Sequence, residues 1–208
     1  MSKGSVSNFD DHLYMSIVRQ LLLLIRITRS HHIARRYFVV NGFDGALTML
    51  GLLIGFYVSG QVVLPVVISV CLGAAIALGM SGMTSAYISE AAEKKRELKR
   101  LEKAMIADLG ESAYGHATRL MPLLIAFING LAPFLIALFI ILPLALAHWQ
   151  PQLVSHPLEI ATMVAFLLIF LLGVFLGRVN GHFWLWSGLQ TLFIAAVTTL
   201  LIFVLSPV

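Results

Sequence analysis

Five stretches of the sequence are apolar almost without interruption: residues 38–59, 65–88, 120–147, 160–177 and 183–205. None alternates with the period of two that a half-buried strand would show. At 1.5 Å of rise per residue, each is long enough to cross a hydrocarbon layer about 30 Å thick as a helix. The connections after the first and fourth stretches are short, so each of those pairs forms a helical hairpin. After the second stretch the pattern turns polar. Residues 89–109 read SEAAEKKRELKRLEKAMIADL, a run of strong helix formers that continues span two beyond the membrane. Ahead of the first stretch, residues 9–34 contain the short apolar run Leu21–Ile25 between arginines. That run is too short to span and lacks a small-residue cleavage site, which argues against a signal peptide. It predicts an amphipathic helix on the inner membrane surface, with Arg19, Arg26 and Arg29 near lipid phosphates.

The pattern therefore predicts an all-α, polytopic membrane protein with five transmembrane helices and a cytoplasmic helical extension between spans two and three. It divides into an N-terminal interfacial segment (1–36), a hairpin of spans one and two (37–90), a charged cytoplasmic segment (91–119) and spans three to five (120–208). No internal repeat is visible, and an odd number of spans precludes a simple inverted repeat.

Composition sharpens this. The 208 residues are 59% hydrophobic and 12% charged, against about 45–50% and about 25% in soluble domains. An ordinary soluble enzyme, a disordered tail and a disulfide scaffold are thereby excluded. The single cysteine, Cys71, precludes an intramolecular disulfide or a multi-cysteine zinc site. The formal net charge of +4 reports orientation here, not affinity for nucleic acid. All 14 Lys and Arg residues can be placed on one side: Lys3, Arg19, Arg26, Arg29, Arg35 and Arg36 before span one; Lys94, Lys95, Arg96, Lys99, Arg100, Lys103 and Arg119 between spans two and three; Arg178 between spans four and five. Positive charge marks the cytoplasmic side, which places the N-terminus inside and the C-terminus outside. The expected location is the inner or plasma membrane, as a multi-pass protein.

Asp44 is the one acidic residue inside the five stretches. A carboxylate in lipid is costly and marks a functional site by default. It sits roughly 9 Å into span one. The alternative is an N-terminal cap, with Asn41, Gly42 and Gly45 making a local break. In span two, Met80, Met83 and Tyr87 share a helical face at a depth similar to that of Asp44. Thioether and carboxylate together suit a borderline ion such as Fe²⁺, although methionine on an apolar helix is core filler more often than ligand.

On the charged extension, Glu90, Glu93, Glu97 and Asp108 fall within an arc of about 60° at roughly 100° per residue. Arg96, Lys99, Arg100 and Lys103 lie mostly opposite. Glu93 and Glu97 repel each other at this spacing, and a divalent cation would turn that repulsion into ligation. The competing reading is a solvated helix with local pairs Glu90–Lys94, Glu93–Arg96 and Glu97–Arg100. Glu102, Glu111 and His116 are further donors. In span three, Pro133 removes the bond that the Asn129 carbonyl would accept, predicting a kink. Gly173, Gly177 and Gly181, and Gly51 and Gly55, have the spacing that lets helices approach closely, within a chain or across a dimer. His148, His156 and His182 have no ligand spacing. No phosphate-binding loop, His-Glu-x-x-His or Gly-x-Ser-x-Gly motif occurs, so neither an ATP-driven pump nor a hydrolase is encoded. The chain does not read as an enzyme.

The run NGFDGALTMLGLLIG (residues 41–55) resembles the first span of the vacuolar iron transporter (CCC1) family. The run GMSGMTSAYISEAAE (residues 79–93) resembles that family's second span, and the five-span plan with a charged segment between spans two and three also matches. The resemblance extends over residues 35–143 and is nearest to the short prokaryotic branch. It implies a homodimer that moves Fe²⁺, often also Mn²⁺, out of the cytoplasm in exchange for protons, with the path between subunits and no permanently bound cofactor. Asp44 matches the family's first-span metal and proton residue. The family's second-span methionine falls on Gly82 here, with Met83 one position away and Met80 two. The cytoplasmic segment is shorter than in the plant members, and Glu93, Glu97, Glu102 and Asp108 correspond to a reduced version, with His116 as a nitrogen ligand. The expected function is export of Fe²⁺ or Mn²⁺ by proton antiport, with Asp44, Met80 and Met83 as the membrane site. The alternative is a membrane scaffold or metal sensor acting through the cytoplasmic helix.

Overall fold

The computed structural model describes residues 30–60, 63–152, 154–179, 181 and 183–206, without the side chains of residues 30–34 and 113. The segment expected as an interfacial helix lies almost wholly outside them, as does His182. The elements are α1 (Ser30–Ser59), α2 (Leu64–Met105), α3 (Ala113–Trp149), α4 (Pro157–Val179) and α5 (Trp184–Leu205). All 5 are long and apolar enough to cross a membrane, so the chain is a multi-pass membrane protein in composition and architecture.

The helices outrun the apolar stretches. α2 continues for 42 residues because nothing in its charged half breaks a helix. It stops at Ile106, whose φ of 51° is left-handed, a conformation that is costly for a β-branched side chain. Ser112 then starts α3: its Oγ accepts from the Gly115 amide at 3.1 Å, an N-cap. α3 passes through Pro122, Pro133 and Pro143 without interruption, as spanning helices can when neighbouring groups satisfy the freed carbonyls. Glu159 in the first turn of α4 and Arg178 in its last both favour the helix dipole.

Two compact units share these helices. Among the described residues, one comprises residues 30–35 together with Ala86–Ile125; the other comprises Arg36–Ser85 and residues 126–206. The second unit holds the main core. Ala46, Met49, Leu50 and Leu53 of α1 form a stripe at helical spacing. They join Val67, Cys71 and Ala75 of α2, Ile136, Ala137, Ile140 and Leu144 of α3, and Ala161, Ala165 and Ile169 of α4 in one buried cluster. The alanines let helix axes come close where no hydrophobic drive separates protein from lipid tails.

At Gly173 and Gly177 the glycine spacing serves contacts within the chain. A Cβ at Gly173 would collide with Thr191 of α5, and one at Gly177 would lie 2.7 Å from Ser187 Cβ. Gly181, at φ 72°, makes the turn between these helices. Thr191 Oγ hydrogen-bonds Gly188 O at 2.8 Å and Ile169 O of α4 at 3.2 Å. Gly51 of α1 faces Ile202 of α5, and Gly55 has open space around it.

Candidate functional site

Asp44 lies in the interior of an unbroken 30-residue helix. The capping alternative is therefore overturned: residues 41–45 are helical and leave no free amides for Asp44 to cap. Its neighbours show why it points where it does. Gly45 turns into the bundle, and a Cβ there would sit 2.8 Å from Pro133 Cα of α3. The preceding Gly42 faces Ile136 and Leu172. With those positions committed to packing, the Asp44 side chain is left on the outer surface of its unit, exposed. No hydrogen bond or ion pair joins it to another described residue.

One turn earlier lies a polar junction that links α1, α2 and α3. Asn41 Nδ2 donates to Tyr37 O at 3.0 Å and to Asn129 Oδ1 of α3. Asn129 Nδ2 in turn donates to Gly82 O of α2 at 2.6 Å. Asn129 is only 4% exposed, and leaving a buried amide unpartnered costs about 1–3 kcal/mol. Glycines make the reach possible: a Cβ on Gly130 would collide with Gly79 O and Met83 Cγ, and one on Gly82 would lie 3.3 Å from Asn129 O. Pro133 offers no amide to that same carbonyl. Sequence reasoning saw Asn41 only as part of a break and Asn129 only as a kink. The available signal was a carboxamide in each of two apolar runs, since polar side chains in spans seek partners on other helices.

These contacts set the register. Asn41 meets Asn129 and Gly45 meets Pro133, so α1 and α3 run parallel. Gly82 meets Asn129 and Gly79 meets Gly130, so α2 runs against them. Met80 and Asp44 thus lie within about one turn of each other in depth. The two methionines divide, however. Met83 packs on Gly130, whereas Met80 is 58% exposed, as is Tyr87 at 44%. Of the membrane residues expected to act together, Asp44 and Met80 are on the surface and Met83 is packing.

In the other unit the acidic arc does not hold together. α2 ends before Asp108, which instead accepts from the Gly110 amide at 2.8 Å. Glu102 Oε1 accepts from the Leu109 amide at 3.2 Å, so both carboxylates brace the turn after α2. Glu97 Oε2 takes a 2.7 Å bond from Lys94 Nζ, where a Glu97–Arg100 pair was expected. Glu90 is buried at 9% exposure. Glu93, Glu111 and His116 are exposed. Among the described residues, no group of three or more His, Cys, Asp or Glu is placed to hold a metal ion. The reason is local: three of the carboxylates already serve an ammonium or a backbone amide.

Lys94 is as buried as Glu90, at 8% exposure, so its partner matters. Glu97→Ala is expected to destabilise the chain by about 1–3 kcal/mol, whereas Glu93→Gln, at an exposed position, stays within about 0.5 kcal/mol. Denaturant titration of the two variants in detergent checks this. Equal, small effects would show that Lys94 does not depend on Glu97.

No protein-family model matches the chain, and no solved structure matches it. It is 28% identical over 174 residues, 82% of this chain and 87% of the relative, to an uncharacterised protein of Methanocaldococcus jannaschii.

Proposed function

We propose that the chain exports Fe²⁺ or Mn²⁺ from the cytoplasm by proton antiport, in the manner of the vacuolar iron transporter family. The observation that carries this reading is Asp44: a carboxylate inside a continuous apolar helix, on the outer surface of its unit, with no counter-charge among the described residues. An acidic side chain facing lipid costs up to about 2.5–3.5 kcal/mol by insertion scales, the upper figure applying at the bilayer centre. A second copy enclosing a water-filled path along this face removes that cost. The homodimer implied by the resemblance has such a path, and the exposed Met80 lies near Asp44 in depth.

In this reading a hydrated dication enters from the cytoplasmic side. The Asp44 carboxylate balances part of its charge, and the Met80 thioether supplies a soft contact that favours Fe²⁺ over Mg²⁺ or Ca²⁺. Protonation of Asp44 from the far side removes the charge that holds the metal, and the ion leaves. Deprotonation towards the cytoplasm resets the site. Glu93, Glu111 and His116, exposed beside the membrane, attract cations without forming a preassembled cage. The test is metal uptake into inside-out vesicles under an imposed pH gradient. Fe²⁺ or Mn²⁺ accumulation that collapses with the gradient supports the reading; accumulation indifferent to pH, or none, overturns it.

A second reading, a membrane scaffold or sensor working through the α2 extension, is favoured by one observation: Glu97, Glu102 and Asp108 are engaged in holding that segment's own structure. It predicts no metal flux in the same vesicles.

The orientation belongs to the proposal and is checked separately. Reporter fusions in residues 106–112 are expected inside, and fusions in residues 150–156 and at the C-terminus outside, in the inner or plasma membrane. An exterior signal from residues 106–112 would overturn the direction of transport.

A further inference from the structure

We propose that Asn129 is a positioning residue: with Asn41 and the Gly82 carbonyl it clamps α1, α2 and α3 and so fixes the direction in which Asp44 is presented. This rests on the reading of Asp44 as the ion site, and extends it to residues that touch no ion.

The argument begins with what each partner can do. Asn41 offers one amide nitrogen, which bonds Tyr37 O within its own helix and Asn129 Oδ1 across to α3. Asn129 uses both ends of its carboxamide, accepting from α1 and donating to α2. A carboxamide that satisfies two helices at once tolerates no rotation of either. Turning α1 by one residue, roughly 100°, would carry Asn41 away from α3. Asp44 is three residues further along α1, so its direction and depth follow rigidly from those of Asn41.

The backbone at Asn129 adds a reason for the clamp to sit there. Pro133 leaves the Asn129 carbonyl without its helical donor, so this turn of α3, like those before Pro122 and Pro143, has a weakened backbone ladder. The side chain of the same residue holds it in place. Gly79, Gly82 and Gly130 keep the α2 and α3 backbones close enough for a short side chain to reach a main-chain oxygen. Side chain and backbone at one position therefore couple the setting of α3 to the rotation of α1.

The test needs a readout of Asp44's direction that is independent of transport. In a Cys71→Ser background, Asp44→Cys is labelled in vesicles by a small charged thiol reagent, with and without Asn129→Leu, Asn41→Leu or both. Each single substitution is expected to change the labelling rate by about tenfold, in line with losing one buried partner. The double variant is expected to match the singles, because one clamp cannot be broken twice. Unchanged labelling in well-folded single variants, or additive effects, would overturn the clamp. Should Asn129→Leu fail to assemble, Asn41→Ala, at a half-buried position, carries the same test. Flux measured with Asp44 intact separates this inference from the one beneath it. Altered labelling with undiminished metal flux supports the clamp and removes Asp44 from the transport path. Unaltered labelling with flux still dependent on Asp44 keeps the ion site and rejects the clamp.

Discussion

Asp44→Asn chain reconstituted in vesicles is expected to insert normally yet carry metal at less than about one-hundredth of the wild-type rate, equivalent to some 3 kcal/mol in the barrier. Asparagine matches aspartate in shape and hydrogen-bonding reach, but it neither balances a dication nor exchanges a proton. The structure makes this substitution cleaner than the sequence alone did. With α1 unbroken through residue 44, no cap is at stake. A neutral amide is also cheaper than a carboxylate in a membrane, so thermal stability in detergent should hold or rise while flux and coupled proton movement are lost. Activity lost with stability retained is the mark of a residue kept for function. Wild-type flux with intact proton coupling in the purified variant would end the proposed mechanism.

The second large effect is expected from one added methyl group. Gly130→Ala places a Cβ against Gly79 O and Met83 Cγ. Met83 is a flexible side chain and can move aside; the Gly79 carbonyl is main chain and cannot. α2 and α3 must separate, which loosens the Asn129 bond to Gly82. Overpacking of this kind costs about 1–3 kcal/mol. Met83→Ala added to Gly130→Ala should recover little, because the backbone clash remains. Full recovery in the double variant, measured by thermal unfolding in detergent, would show that the crossing is limited by the side chain and that the helices are free to part.

The contrast between the helices and the site shows what a sequence can carry. The spans were legible because twenty apolar residues in a row have one physical outcome, and α2's charged half was legible because Ala, Glu, Lys and Leu favour the same backbone. Where α2 stops was not. Ile106 is a poor residue for a left-handed turn, and nothing in its identity announces one. Asp108 left the acidic arc for that reason: the arc assumed that one helix reached it. Asp44 stood out because a single carboxylate in an apolar run is conspicuous. The Asn41–Asn129 junction did not, since its partners are 88 residues apart and no local periodicity relates them. Which methionine faces outward was equally hidden, because it depends on where Gly130 of another helix comes to rest.

The α4–α5 pair carries an implication for how the protein is made. Gly173, Gly177 and Gly188 seat these two helices on each other, and Thr191 shares its hydroxyl between them. These contacts join residues fewer than thirty apart, and Arg178 is the only Lys or Arg from Pro157 onward. Thr191 finds both of its acceptors within the pair. The pair can leave the translocation machinery as a ready-made hairpin and dock onto α1 and α3 as a unit. The last quarter of the chain would thus be the simplest to assemble, and the slow step of biogenesis would fall where α1 must find α3, at the clamp.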